Sequence, residues 1–191
     1  MPRGRVNQTN RTTHQVNSRQ PGAARLRSLL RIAVYGVAIA LVGTALVRTT
    51  DSGPPEGSVA PSFRLQAVSP EGAPASLDTL KGQPILIEVF ASWCPTCRNA
   101  APAMGQLFLE SVAPKARFIG VSVDESMDQA RAAASAWRIP FPVLLDDGSF
   151  SRSYRIRSLP TFILIDAAGR VRHVSTGVTS KRRLRGWLEE S

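Results

Sequence analysis

The sequence predicts an α/β domain, a mixed sheet with helices on both faces, preceded by one N-terminal transmembrane helix. Three observations lead there. From Pro61 onward short apolar runs alternate with helix-like stretches. The chain closes as two strand-like runs joined by a tight turn and followed by a helix, so part of the sheet must be antiparallel. Ahead of the domain, Ser28 to Val47 is apolar apart from Arg31. Hydrophobic residues make up 43% of the 191, enough for one ordinary core plus extensions.

Taken in order, residues 1–27 are polar, rich in Arg, Asn and Thr, and lack an apolar period, which predicts a disordered basic cytoplasmic tail. His14 in this tail reads as a solvated side chain. Residues 28–47 would span about 30 Å as a helix, enough for a hydrocarbon core, and Arg31 lies close enough to the entry end to snorkel. The arginine-rich flank predicts a cytoplasmic N-terminus and an exported C-terminal domain. A retained anchor is the reading adopted. A signal peptide cleaved near the small residues Gly43 and Ala45 is one alternative, and a buried soluble helix another. No cysteine follows the segment closely, so a lipoprotein anchor is not available. Residues 48–60, ending in "SGPPEGSVA", read as a linker to the domain at 61–191.

Within that domain "SFRLQAV" and the stretch around Ala75 to Leu77 predict an N-terminal hairpin turned by "SPEGAP". "PILIEVF" (Pro84 to Phe90) is nearly continuous in apolar residues, as expected of a strand covered on both faces. A helix is expected from about Pro95 to Glu110, with a kink at Pro102. "ARFIGVSV" is the next strand, the alanine-rich "MDQARAAASAWRI" a helix, "FPVLLDD" a short strand and "GSFSRSYRI" a helical turn. "TFILID", the turn "AAGR" and "VRHVST" predict an antiparallel hairpin, and "SKRRLRGWLEE" a closing helix. Trp137 and Trp187 read as helix packing residues, and Asp146, Asp147 and Asp166 as caps and turns at strand ends.

Charge excludes one class of function. The net charge of +10 suggests nucleic acid until it is mapped. Eight arginines and no acid fall in residues 1–50, whereas residues 51–191 hold sixteen basic and fourteen acidic side chains. The domain is almost neutral, so no phosphate-binding face is implied. "KRRLR" (Lys181 to Arg185) reads as the solvated side of the last helix.

Chemistry concentrates in "FASWCPTCRNAAP", residues 90–102, which contains both cysteines of the chain. Two thiols three positions apart are too few for a disulfide framework or a four-ligand zinc site. Their place at a strand-to-helix break suits redox work. Cys94 falls at the first helical turn, where unsatisfied amides and the helix dipole favour an anion and lower a thiol pKa. Pro95 suits the first helical position because it has no amide hydrogen to leave unpaired. Cys97, one turn further in, can bond back to Cys94 while being less accessible. One sulfur attacks and the other resolves the mixed disulfide.

"FASWCPTC" resembles the active-site motif of the thioredoxin superfamily. The "APSF" opening (Ala60 to Phe63), the additional helix–strand piece between Asp124 and Asp147, and the apolar anchor resemble its TlpA/ResA-like branch. That resemblance covers roughly residues 58–190. It implies a thioredoxin-like fold with an N-terminal hairpin and a central helix–strand insertion. It also implies an extracytoplasmic, membrane-tethered thiol–disulfide oxidoreductase, a protein-disulfide reductase, with no cofactor and no bound metal. Thr96 departs from the branch, where the second residue between the cysteines is commonly proline. "SLPTFILID" places Pro160 where the superfamily carries a cis-proline facing the cysteines. The resemblance therefore implies a cis Leu159–Pro160 bond, with backbone beside it pairing with an extended substrate chain. Glu88 lies six residues before Cys94, where thioredoxins carry a buried acid near the resolving cysteine. Burial would raise its pKa and let it accept and return the Cys97 proton. The other reading of Glu88 is an outward-facing strand residue with no chemical role. Trp93 is expected to shield the site and join Leu159 and Pro160 in the docking surface.

The clients so implied are exported cysteine-containing proteins, with apocytochrome c the candidate in cytochrome c maturation, and the reductant a membrane electron donor. Two rival functions use the same residues. A copper-binding thioredoxin-like chaperone would employ Cys94, Cys97 and His173 as soft and borderline ligands, but copper carriers of this fold typically separate their cysteines by three residues. A peroxiredoxin-type peroxidase is suggested by "APSF" alone and needs a single peroxidatic cysteine framed by Pro and Thr, which "WCPTC" does not match. On the hairpin, His173 reads as a satisfied or solvated histidine in preference to a metal ligand.

Overall fold

The structure, a computed structural model, describes residues 31–42, 52–70, 72–110 and 116–191. The chain divides into two units, Met1–Thr49 and Thr50–Ser191. In the first, residues 31–42 form helix α1, and its large apolar side chains, such as Ile32, Tyr35 and Ile39, are exposed. Among the described residues no helix is long and apolar enough to cross a membrane. The predicted tail at 1–27, both ends of the predicted 28–47 span and residues 48–51 of the linker lie outside the described residues.

The second unit runs β1 (Arg64–Ser69), β2 (Gly72–Ser76), α2 (Leu77–Leu80), β3 (Ile85–Phe90), α3 (Pro95–Leu109), β4 (Arg117–Ser122), α4 (Met127–Ala136), β5 (Val143–Leu145), α5 (Ser149–Ser153), β6 (Thr161–Ile165), β7 (Val171–Thr176) and α6 (Lys181–Glu189). Its seven strands form one sheet in the order β2-β1-β5-β4-β3-β6-β7. β3 pairs in parallel with β4 and antiparallel with β6, and β4 in parallel with β5. Both hairpins, β1–β2 and β6–β7, are antiparallel. The sheet is therefore mixed, as expected, and β5 of the α4–β5 insertion stands between β1 and β4.

Every residue of the central strand β3 is buried, which its continuous apolar run requires. Period-two alternation splits that strand between two layers. Ile85, Ile87 and Val89 join Phe63, Leu77, Phe150 and Tyr154 on the side of α2 and α5. Leu86 faces the opposite way, into Ala100, Met104 and Leu107 of α3 and Leu184 and Trp187 of α6. Phe90, on that same face, meets Ala130, Ala133 and Ala134 of α4. At the far end of α3, Glu110 is bonded by Lys181 at 2.7 Å and by Arg185, tying α3 to α6. Both cations hold the exposed Glu110 carboxyl below its ordinary range, the Lys181 hydrogen bond first. α3 runs without a break across Pro102.

Two sequence expectations need correction. Leu77 starts a helical turn instead of ending a strand. Ser76 caps it, accepting the Thr79 N–H at 3.4 Å while the Thr79 hydroxyl accepts the Ser76 N–H at 3.1 Å. The second concerns residues 52–60. Their Pro/Gly composition suggests a linker, yet they lie along the folded unit. The Gly57 N–H donates to the Val171 carbonyl at 2.7 Å, Val59 bridges to Arg170, and Ala60 is buried. Proline and glycine here shape an edge strap, in which Val171 donates to the Ser58 carbonyl at 2.9 Å and accepts from the Gly57 N–H.

Candidate active site

The C-terminal end of β3 delivers the cysteine pair. Ala91–Trp93 turn the chain into α3, and the Cys94 N–H closes that turn on the Ala91 carbonyl at 3.1 Å. Cys94 is the N-cap of α3 in an extended conformation, with Pro95 in the first turn. Its Sγ accepts the Cys97 N–H at 3.1 Å, taking the place a serine or aspartate oxygen would hold at such a cap. The two cysteines are joined by a disulfide, with Cα atoms 5.3 Å apart. Cys97 is fully buried and Cys94 is 6% exposed. The Cys94 side opens on a depression of about 430 Å³ that Ser92, Trp93, Arg98 and Asn99 also line. Trp93 stands out of it, 67% exposed.

The Leu159–Pro160 bond is cis, as the resemblance implies. Leu159 packs against both the main core and the cluster that contains the cysteines, so this loop lies beside the pair. The Pro160 carbonyl accepts the Gly177 N–H at 2.8 Å. Sequence reasoning missed how the loop is held. The buried Ser52 hydroxyl accepts the Arg157 N–H at 3.0 Å and shares a 3.1 Å bond with the Thr161 hydroxyl, which itself donates to the Ser158 carbonyl at 2.7 Å. A lone serine 109 positions from Thr161 carries no sequence signal for such a contact.

Glu88 is buried in the middle of β3 and shares the α3 face with Leu86 and Phe90. Neither of its carboxylate oxygens has a hydrogen-bond partner among the described residues. Burial pushes its pKa up to about 8, so it is largely a neutral acid at pH 7. Opposite it in register on β4 is Gly120, where a Cβ would come within 3.0 Å of the Phe90 ring. The absent side chain lets Phe90 lean over β4 and, with Trp137 at a ring separation of 5.4 Å, wall this side of the cysteine cluster. The outward-facing alternative for Glu88 is excluded.

A second buried carboxylate, Asp124, also escaped the sequence reading. It follows β4 and accepts the Ser92 N–H on both oxygens at 3.0 Å and the Ser92 and Ser122 hydroxyls at 2.7 Å. His173 is not brought to the cysteines. It stacks on Trp187 at 5.1 Å, with Glu56 and Glu190 3.9 and 3.5 Å from its two nitrogens. Among the described residues no group of three His, Cys, Asp or Glu side chains could hold a metal ion. Asp146 caps the turn into α5 through the amides of Gly148, Phe150 and Ser151, and Asp166 accepts the Arg170 N–H in the β6–β7 turn.

A family model described as the AhpC/TSA family matches residues 57–174, the stretch that holds both cysteines, Glu88 and Pro160. The chain belongs to the AhpC/TSA family. Thioredoxin-like protein YneN of Bacillus subtilis (strain 168) is 33% identical over 137 residues, covering 70% of this chain and 79% of its own. The thiol–disulfide oxidoreductase ResA of the same strain is 26% identical over 166 residues, covering 85% and 92%. Among solved structures, a thiol:disulfide interchange protein of the thioredoxin family from Chlorobium tepidum TLS matches at 29% identity with a TM-score of 0.63, covering 72% of this chain and 97% of that one. StoA from Bacillus subtilis, at 22% identity, TM-score 0.59 and coverage of 68% and 97%, shares the fold. This member of the AhpC/TSA family is a thiol–disulfide oxidoreductase with a thioredoxin-like fold.

Proposed function

We propose that this enzyme is an extracytoplasmic protein-disulfide reductase, tethered by the apolar segment at residues 28–47, which reduces exported cysteine-containing proteins. Apocytochrome c is the proposed client in cytochrome c maturation, and a membrane electron donor the proposed source of reducing equivalents. The observation that carries this reading is the asymmetry of the pair: one sulfur opens to solvent at a helix N-terminus, and the other is sealed beneath it.

In the reduced enzyme the Cys94 thiolate would attack a client disulfide. A new S–S bond forms to Cys94, the client bond breaks, and one client sulfur leaves as thiolate and takes a proton. The Cys97 amide, whose hydrogen the Cys94 sulfur accepts, and the helix dipole favour the attacking anion. Cys97 then loses its proton and attacks the Cys94 sulfur, releasing the second client thiol and leaving the Cys94–Cys97 disulfide. Two electrons have passed to the client. Glu88, in the minor ionised form that a pKa of about 8 leaves near neutral pH, is the proposed acceptor of the Cys97 proton. It lies on the β3 face shared with Phe90, which packs among both cysteines, and its oxygens have no competing partner among the described residues. A carboxyl with pKa near 8 is well matched to moving a thiol proton near neutral pH. Trp93, Leu159 and Pro160 form the proposed client dock.

What supports the tether is the run of exposed apolar side chains on residues 31–42 together with the arginines before them. The direction of electron flow is tested by equilibrating the pair against thiol buffers. A reductase should have a potential below about −230 mV, in the range of thioredoxin-type proteins. A value above about −180 mV would make the enzyme a disulfide donor.

A further inference from the structure

Asp124 does no chemistry in the scheme above, yet it is buried, acidic and bound to the turn that presents Cys94. We infer that Asp124 is a positioning residue, which sets the reactivity of Cys94 by clamping Ser92.

The bonding pattern carries this. Each carboxylate oxygen receives two hydrogens: Oδ1 takes the Ser92 N–H at 3.0 Å and the Ser92 hydroxyl at 2.7 Å, and Oδ2 takes the same N–H at 3.0 Å and the Ser122 hydroxyl at 2.7 Å. The Asp124 N–H in turn donates to the Ser122 hydroxyl at 3.2 Å, so backbone and side chain of Asp124 close a ring on Ser122. Every partner of the carboxylate is a donor, and an acceptor-only group with two oxygens is the side chain that satisfies all of them. Asp124 and Ser122 are both buried, where bonds to an ionised group are strong and unmade ones costly.

Ser92 is two residues ahead of Cys94 and lines the same depression. Between them stands only Trp93, which is 67% exposed. The turn that aims the Cys94 sulfur at the Cys97 amide is closed by the Cys94 N–H on the Ala91 carbonyl, runs on into α3, and is tied to β4 through Asp124 on Ser92. Asp124 also leads into α4 through Ser126, whose hydroxyl caps that helix by accepting the Gln129 N–H at 3.3 Å. The alanines of α4 press on the cysteine cluster. One carboxylate thus fixes the turn that carries the pair to the segment that covers it.

The proposal rests on Cys94 being the attacking thiol, and its test separates the two. In a Cys97→Ser background only Cys94 can react, so the rate of its alkylation by iodoacetamide reads its presentation directly. At a temperature where circular dichroism shows each variant folded, Asp124→Ala should react about tenfold more slowly, as expected when the Cys94 thiolate is no longer held against the amide at the α3 N-terminus that stabilises it. Asp124→Asn keeps one acceptor oxygen for Ser92 and should recover to within about threefold of the parent. Ser180→Ala, which removes the α6 cap far along the chain, should lower the melting temperature and leave the rate unchanged. Should Asp124→Ala not fold, the intermediate rate of the Asn variant carries the test. Asp124→Ala folded and reacting at the parental rate, or, where only Asp124→Asn folds, that variant reacting at the full parental rate and not about threefold below it, overturns the positioning role. In the wild-type background, slower labelling of Cys94 than of Cys97 would instead overturn the assignment of the attacking thiol.

Discussion

Cys94 caps the helix inside which Cys97 is buried: its sulfur accepts the Cys97 amide hydrogen at 3.1 Å, and only Cys94 reaches the surface. Backbone geometry alone makes the two thiols unequal. In reduced wild-type protein near neutral pH, iodoacetamide should modify Cys94 at least about tenfold faster than Cys97. Peptide mapping after partial labelling measures the ratio, and equal rates would contradict the division of labour.

Glu88 makes stability depend on pH in a direction opposite to that of a salt-bridged acid. Its pKa is about 8 in the fold against 4.5 for the ordinary group, so between those values the folded state holds a proton that the unfolded state has lost. Stability contributed by keeping this acid neutral is full below pH 4.5, falls as pH rises, and is lost by about pH 8. Glu88→Gln removes the titration. It should melt close to wild type at pH 4.5 and be more stable at pH 8.5 by roughly 3–5 kcal/mol. Thermal melts of the oxidised proteins at the two pH values decide it, and parallel shifts at both would count against a buried titrating acid.

The same substitution separates the two chemical steps. Attack by Cys94 should change little, whereas resolution of a preformed mixed disulfide should slow by about one to two orders of magnitude, the low end of general-base effects. Stopped-flow release of a labelled client thiol reports the second step. Resolution at the wild-type rate would give the proton to water or another base.

Ser52 predicts that the strap is part of the domain. Removing its hydroxyl strips a partner from Thr161 and from the Arg157 amide, and Ser52→Ala should cost about 1–3 kcal/mol. Deleting residues 1–60 should lower the melting temperature well below that of a deletion of 1–51. Equal melting temperatures would return residues 52–60 to the status of a linker.

For the proposed tether, the expected outcome is retention in the membrane fraction after carbonate washing, with the catalytic domain open to protease only from the exported side. A soluble mature form beginning near Leu46 would instead mark a cleaved signal.

Much of the fold could be read from local pattern, and the reason shows in particular residues. The unbroken apolar run at Ile85–Phe90 needs cover on two faces, and it has it. Cys94 and Cys97 could be read because the chemistry is contained in four consecutive residues, and Glu88 because an acid in such a run contradicts its surroundings. Asp124 and Ser52 could not. The Asp124 clamp joins residues 32 apart and the Ser52 bonds span more than a hundred positions, and each depends on strand register that no local period reveals. Leu77 is ambiguous in the sequence because a strand and a one-turn helix can share an apolar residue, and the Ser76–Thr79 cap decides between them.

The central claim is that Cys94 forms the covalent link to a client protein and Cys97 undoes it. Incubating reduced Cys97→Ser enzyme with a disulfide-containing protein such as insulin, followed by mass spectrometry of the adducts, tests it most directly. The account predicts a stable mixed disulfide on Cys94, reversed by dithiothreitol, with Cys94→Ser forming none and the wild type passing through it to the Cys94–Cys97 disulfide with two client thiols released. Adducts on Cys97 of the Cys94→Ser protein at a comparable rate, or no adduct on either variant, would contradict it.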